Sequence, residues 1–165
     1  MKKKISDQTL HRLDVQGFDT VPVTNLSAIA PWNRMAFAGC ALLAGLGTSL
    51  ASPVFLYALM PIAALAAIFP VHPFDLIYNH FIRYIRQTGP IPKRGTPSRV
   101  TCGTGVVWLG VTALCFQQGA LLMGYIRGGT LTAMATLVAL TDICIPSMVY
   151  RAVFAQPITR KPVNS

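Results

Sequence analysis

Four apolar runs, 35–50, 54–69, 100–116 and 130–154, fill much of this chain, and only the last contains charged residues, Asp142 and Arg151. They come in pairs. Ser52-Pro53 separates the first two, and Gln117-Gln118-Gly119 breaks the chain between the last two. With flanking residues, each run approaches the ~20 residues that carry a helix across ~30 Å of hydrocarbon. A backbone in hydrocarbon must satisfy its own hydrogen bonds, so helices are the expected form. The expected fold is all-α: four transmembrane helices as two hairpins, a 2+2 pseudo-repeat, joined by a cytoplasmic interfacial amphipathic helix. Composition agrees with a membrane protein, at 53% hydrophobic and 12% charged residues with a mean hydropathy of +0.51. Soluble domains carry nearer ~25% charged residues.

The expected segments are 1–33, a cytoplasmic N-terminal segment; 34–71, a first hairpin; 72–98, an amphipathic helix and Pro-rich return; 99–154, a second hairpin; and 155–165, a cytoplasmic tail. Residues 1–33 carry only a weak helical pattern in Leu10, Leu13 and Val15, and the polar turn after the first lysines does not fit a signal peptide. Pro31 to Arg34 and Pro97 to Arg99 open the two hairpins at an offset of 65, whereas Pro73 and Pro146 near their ends match at 73. The second half therefore holds about eight extra residues, which the sequence suggests as an interfacial insert at 120–127.

Charge sets the expected orientation. There is no Glu, and five Asp stand against fourteen Lys and Arg for a net charge of +9. Of those cations, all but Arg127 fall on the side of the termini and the middle stretch, a strong positive-inside bias. Both termini and residues 72–98 are expected in the cytoplasm of a bacterium, with the chain in its inner membrane. The basic balance then reports topology and anionic lipid, with no nucleic-acid role.

In the middle stretch, Phe74, Ile77, Tyr78, Phe81, Ile82, Tyr84 and Ile85 recur at helical spacing on one arc. Asp75, Asn79, His80, Arg83, Arg86 and Gln87 share the other. That pattern predicts a helix lying in the membrane interface, with His80, Arg83, Arg86, Lys93 and Arg94 as a surface for anionic headgroups or a partner.

The polar residues inside the runs are the candidates for function. Asp142 is expected in the inner half of the fourth span, where a lone carboxylate costs several kcal/mol unless paired, protonated or wetted. Arg99 and Arg34 are its candidate partners, and a proton or cation site is the alternative. Cys40, Cys102, Cys115 and Cys144 lack the spacing of a zinc site or disulfide scaffold and read as apolar packers. Cys144 and Cys102 are nonetheless a candidate thiol pair, because they fall at similar depth and Cys144-Ile-Pro-Ser147 has C-x-x-S form. His11, His72 and His80 are expected to be solvated. No catalytic or metal constellation is legible, and bound lipid is the expected cofactor.

The hairpins, the Pro31–Arg34 and Pro97–Arg99 openings, the HPFDLIYNHFIRYI segment and the Cys144-to-Tyr150 run resemble an uncharacterised family of small bacterial four-span membrane proteins. The resemblance covers residues 31 to 154. It implies the topology and the bacterial inner membrane, and a C-x-x-C before the Tyr, of which Ser147 here replaces the second cysteine. The expected function is a non-enzymatic accessory or scaffold subunit of a larger membrane complex, in contact with lipids and other membrane subunits. A small transporter using Asp142 and a thiol-handling protein are the alternatives.

Overall fold

The structure, a computed structural model, describes residues 6–86, 89–154 and 158, with the side chains of 27–29 and 86 outside that description. Lys2, Lys3, Lys4, Arg160 and Lys161, which contribute to the expected charge asymmetry, lie outside the described residues, as does Gln87. The described residues form helices and connections with no strand. In order, these are α1 (Asp7–Leu13), α2 (Val23–Ser49), α3 (Pro53–Ile68), α4 (Pro73–Ile77), α5 (Arg83–Arg86), α6 (Thr96–Gln117), α7 (Leu121–Thr141) and α8 (Ile145–Val153). A wide helical turn at 78–82 joins α4 to α5, whereas residues 14–18 continue from α1 but are kinked at Gly17, whose φ of 96° is not helical.

Both hairpin turns close the same way. Each has three residues, 50–52 and 118–120, with the middle one left-handed: Ala51 at φ 46° and Gly119 at φ 75°. Ser52 N–H donates to Gly47 O and Ala120 N–H to Cys115 O, the bond that closes a Schellman turn. Ser52 also caps α3, its Oγ accepting from Phe55 N–H, and Pro53 sits in the first helical turn where no N–H is needed.

The hairpins interlock. α2 runs along α7 and α3 along α6, while α6 and α7 also pack on each other. Gly128 lets α2 and α7 close up, since a Cβ there would lie 2.3 Å from Thr48 Oγ1. Near the turns, Ala44, Leu56, Leu109, Ala113 and Phe116 form one core. At the opposite end, which bears most of the described cations and is called the basic end below, Leu13, Phe18, Leu26, Tyr78 and Ile91 form another.

Several expectations need correcting. α6 and α7 are long and apolar enough to cross a membrane. α3, at 16 residues or ~24 Å, is too short alone, and it passes only together with 73–85, to which it is bent by 79°. α2 has 27 residues, but Asn33 and Arg34 interrupt its apolar face. The described residues therefore hold two clear spans, or three if the bent pair counts as one.

α2 begins eleven residues before Arg34 and runs through Pro31, because Leu26 and Ala30 bury against Leu13, Phe18 and Tyr78. The fourth run does not continue to 154: Asp142, at φ 59°, ends α7, and α8 is a separate short helix. Nor do residues 120–127 form an interfacial insert, since α7 starts at Leu121. The extra length of the second half goes instead into its helices. α7 has five residues more than α3 (21 against 16), and Arg99 to the end of α6 is three longer than Arg34 to the end of α2.

Candidate functional site

Arginines knit the basic end. Asp142 is 1% exposed, and Arg34 Nε donates to its two oxygens at 3.1 and 2.9 Å, with Arg34 Nη2 also donating to Oδ2. Of the two candidate cations, Asp142 thus takes Arg34. Arg99 reaches the end of α3 instead, donating from Nε to Ala67 O at 3.0 Å and from Nη2 to Ile68 O at 2.6 Å. Both arginines therefore hold a helix C-terminus, where orphan carbonyls and the negative end of the dipole favour a cation. The N-terminal segment adds to the first of these caps: Arg12 Nη1 donates to Thr141 O and Gln16 Nε2 to Asp142 O, each at 2.8 Å.

Arg94 is a correction. It is expected on a lipid- or partner-facing surface, yet it is 3% exposed and donates from Nε and Nη2 to Asp75 at 2.7 and 2.9 Å. Asp75 is likewise absent from the polar face assigned to it, because as the third residue of α4 it turns inward to accept from His72 N–H and Arg94. The stretch 89–95 folds over this pair, with Ile91 N–H donating to Asn79 Oδ1. Arg151 of α8 ties the N-terminal segment on, donating to Val15 O and Asp14 O and facing Asp19 at 3.6 Å. Gly17 (φ 96°) meets Gly95 so closely that a Cβ on Gly17 would lie 2.8 Å from Gly95 Cα. His80 and Lys93 stay exposed beside Ile77, Phe81, Tyr84 and Ile85, and Arg83 stacks over Tyr84 at 4.8 Å. The Arg86 side chain lies outside the described residues.

Between the hairpins lies a chamber of about 310 Å³ with almost wholly apolar walls that include Leu59, Trp108 and Met134. Its polar floor faces the basic end. Cys40 of α2, His72 before α4, and Thr101 and Cys102 of α6 line it. Cys144 does not line it. Cys144 Sγ lies 3.1 Å from Ser147 Oγ and 3.4 Å from Thr101 Oγ1, buried in a small hydroxyl cluster. All four cysteines are free thiols. Among the described residues, no group of three or more His, Cys, Asp or Glu is placed to hold a metal ion.

The profile of DUF4395, a domain of unknown function, matches residues 31–154. The chain belongs to the DUF4395 family. No curated protein and no solved structure matches it. The DUF4395 region holds the chamber, the Arg34–Asp142 and Arg94–Asp75 pairs and Arg99. Arg12 and Gln16, which help to cap α7, lie outside it.

The chamber residues that sequence reasoning missed in this DUF4395 protein are Cys40 and His72. His72 is not solvated: it is 3% exposed and caps α4 in a reciprocal box with Asp75. That signal was present in His72-Pro73-Phe74-Asp75, a cap residue followed by Pro at the first position and an acid at the third. Phe74 N–H donates to Nδ1 at 3.3 Å, so in the neutral ring Nε2 carries the hydrogen, and it faces Cys40 Sγ at 3.9 Å. Burial, with Arg94 as a second cause, lowers the pKa of this connector histidine to about 4. The unfolded chain takes up that proton near pH 6.5 and the folded chain only near 4, so stability falls as pH drops through this window and levels off below it. The loss should reach about 3 kcal/mol. Unfolding midpoints in detergent from pH 7.5 to 4 should show it, and His72→Asn should flatten the profile.

Proposed function

We propose that this DUF4395 protein is a four-span protein of a bacterial inner membrane, with both termini in the cytoplasm, and that it holds an apolar molecule of the bilayer in its chamber. It acts without catalysis of its own, as an accessory subunit of a larger membrane assembly. The chamber is the observation that carries this reading. A cavity of about 310 Å³, walled by α2, α3, α6 and α7 and nearly devoid of polar surface, suits a lipophile drawn from the bilayer.

Reciprocal contacts favour the 2+2 arrangement. The first helix of each hairpin packs on the second helix of the other, and the arginine opening each half holds the C-terminus of that second helix: Arg34 at Asp142 and Arg99 at Ala67 and Ile68. The matched hairpin turns lie at one end, since Ala51 of the first packs against the core that holds Ala113 and Phe116 beside the second. A first hairpin shorter than the second then crosses by local thinning or by snorkelling of its flanks. The exposed Ile77, Phe81, Tyr84 and Ile85 suit a seat in the membrane interface. Because Arg34 engages both Asp142 oxygens, a structural role for that carboxylate is favoured over a proton or cation site.

Gly105 lines the chamber, and a Cβ built there meets nothing within 4 Å. Gly105→Leu should therefore fill the space without moving backbone. Native mass spectrometry from mild detergent should find wild-type protein carrying a bound lipophile and Gly105→Leu, equally folded, without it. Wild-type protein that carries nothing, or a variant that keeps its adduct, would sink the proposal.

A further inference from the structure

Among the described side chains that line the chamber, one nitrogen donor lacks an oxygen acceptor. Trp108 Nε1–H donates to Arg127 O at 2.9 Å, Thr101 Oγ1–H to Pro97 O at 3.0 Å, and Thr104 Oγ1–H to Thr101 O at 2.8 Å. The thiols of Cys40 and Cys102 are weak donors. His72 Nε2–H remains, fixed in that tautomer by the cap bond at Nδ1, and among the described residues it has only the Cys40 sulfur at 3.9 Å, a weak acceptor, to receive it. A buried N–H without a good acceptor costs about 1–3 kcal/mol, which an incoming acceptor would recover.

The walls offer nothing to pair with a charge. Arg94 has its Nε and Nη2 both committed to Asp75. Its Nη1 has no partner among the described residues and is the one group that would favour a carboxylate.

Resting on the chamber reading above, we propose that the occupant is an amphiphile of the bilayer whose polar end is a neutral carbonyl, of the quinone or ketone class, and that His72 Nε2–H holds that end at the chamber floor. The apolar tail lies among the walls toward the turns. His72 is here a binding residue, and no bond is made or broken.

The test compares three probes that share a ten-carbon body: decyl-1,4-benzoquinone, decylbenzene and decanoate, each titrated into detergent-solubilised full-length protein and read by native mass spectrometry. Decylbenzoquinone should bind about tenfold more tightly than decylbenzene, the value of one buried hydrogen bond. His72→Asn keeps an acceptor for Phe74 N–H but cannot reach the chamber, so it should bring the two probes to equal affinity, and Gly105→Leu should remove both. A second readout needs no variant: the carbonyl stretch of bound decylbenzoquinone should move to lower wavenumber than in dodecane. Equal binding of the two neutral probes to wild type, a preference that survives in folded His72→Asn, tighter binding of decanoate, or an unshifted carbonyl band would each overturn the assignment. If none of the three probes binds wild type, the chamber reading itself falls.

Discussion

Asp75→Ala should lower the stability of this protein by about 3–5 kcal/mol, because it leaves the guanidinium of Arg94 buried with no counter-charge. The Arg94 side chain is fully buried and its partner nearly so, so water cannot take over the vacated bonds. The same substitution also removes the acceptor for His72 N–H and half of the cap on α4. Denaturant titration of the purified protein in mild detergent, followed by circular dichroism, measures the loss. Replacing both partners should behave differently. Asp75→Leu with Arg94→Met should recover most of the stability, since an apolar pair of similar volume needs no desolvation. A double variant as unstable as Asp75→Ala would show that the pair contributes specific geometry that apolar packing cannot replace.

Asp142→Ala should cost about 2–3 kcal/mol, from the loss of a charge-assisted double contact with Arg34 and from a left-handed backbone at φ 59° that Ala tolerates poorly. The cost is smaller than at Asp75 because the Arg34 side chain is 38% exposed and can turn to water. Asp142→Asn should cost only about 1 kcal/mol, since Asn accepts the left-handed conformation and can still receive a hydrogen bond. A double-mutant cycle with Arg34→Leu isolates the coupling, expected at about 1–2 kcal/mol. The same Asp142→Asn protein should retain its chamber ligand in native mass spectrometry. Loss of the ligand in a folded Asp142→Asn variant would make the carboxylate a functional group and count against its assignment as a helix cap.

Much of the scaffold was legible in the residue order. Uncharged runs of sixteen or more residues read as helices, and Ser-Pro and Gln-Gln-Gly mark their turns. Asp142 could be narrowed to two arginines, because an acid inside an apolar run requires a nearby cation. His72 and Arg94 were misread for a shared reason. Each looks like an ordinary polar residue in a basic connector, and each is buried through contacts that cross the chain: Arg94 to Asp75 over 19 residues and Cys40 to His72 over 32. Asp142 and Pro146 mark an interruption in the fourth run, but the apolar pattern continues across it, and the structure shows it as a full break: Asp142 is left-handed, Cys144 is extended and α8 starts anew at Ile145.

Hydrophobicity acts locally and additively, so residue order alone is enough to fix the helical character of the described residues, the places where the hairpins turn and the end that gathers the charge. Pairing is a property of three dimensions. It takes the packed fold to show that Arg34 holds Asp142 while Arg99 caps α3, that Arg94 faces inward, and that Cys40, His72 and Cys102, drawn from three separate segments, share the floor of one apolar chamber. A buried donor or charge takes the partner that the crossing of helices brings within about 3 Å, and no spacing along the chain encodes that distance.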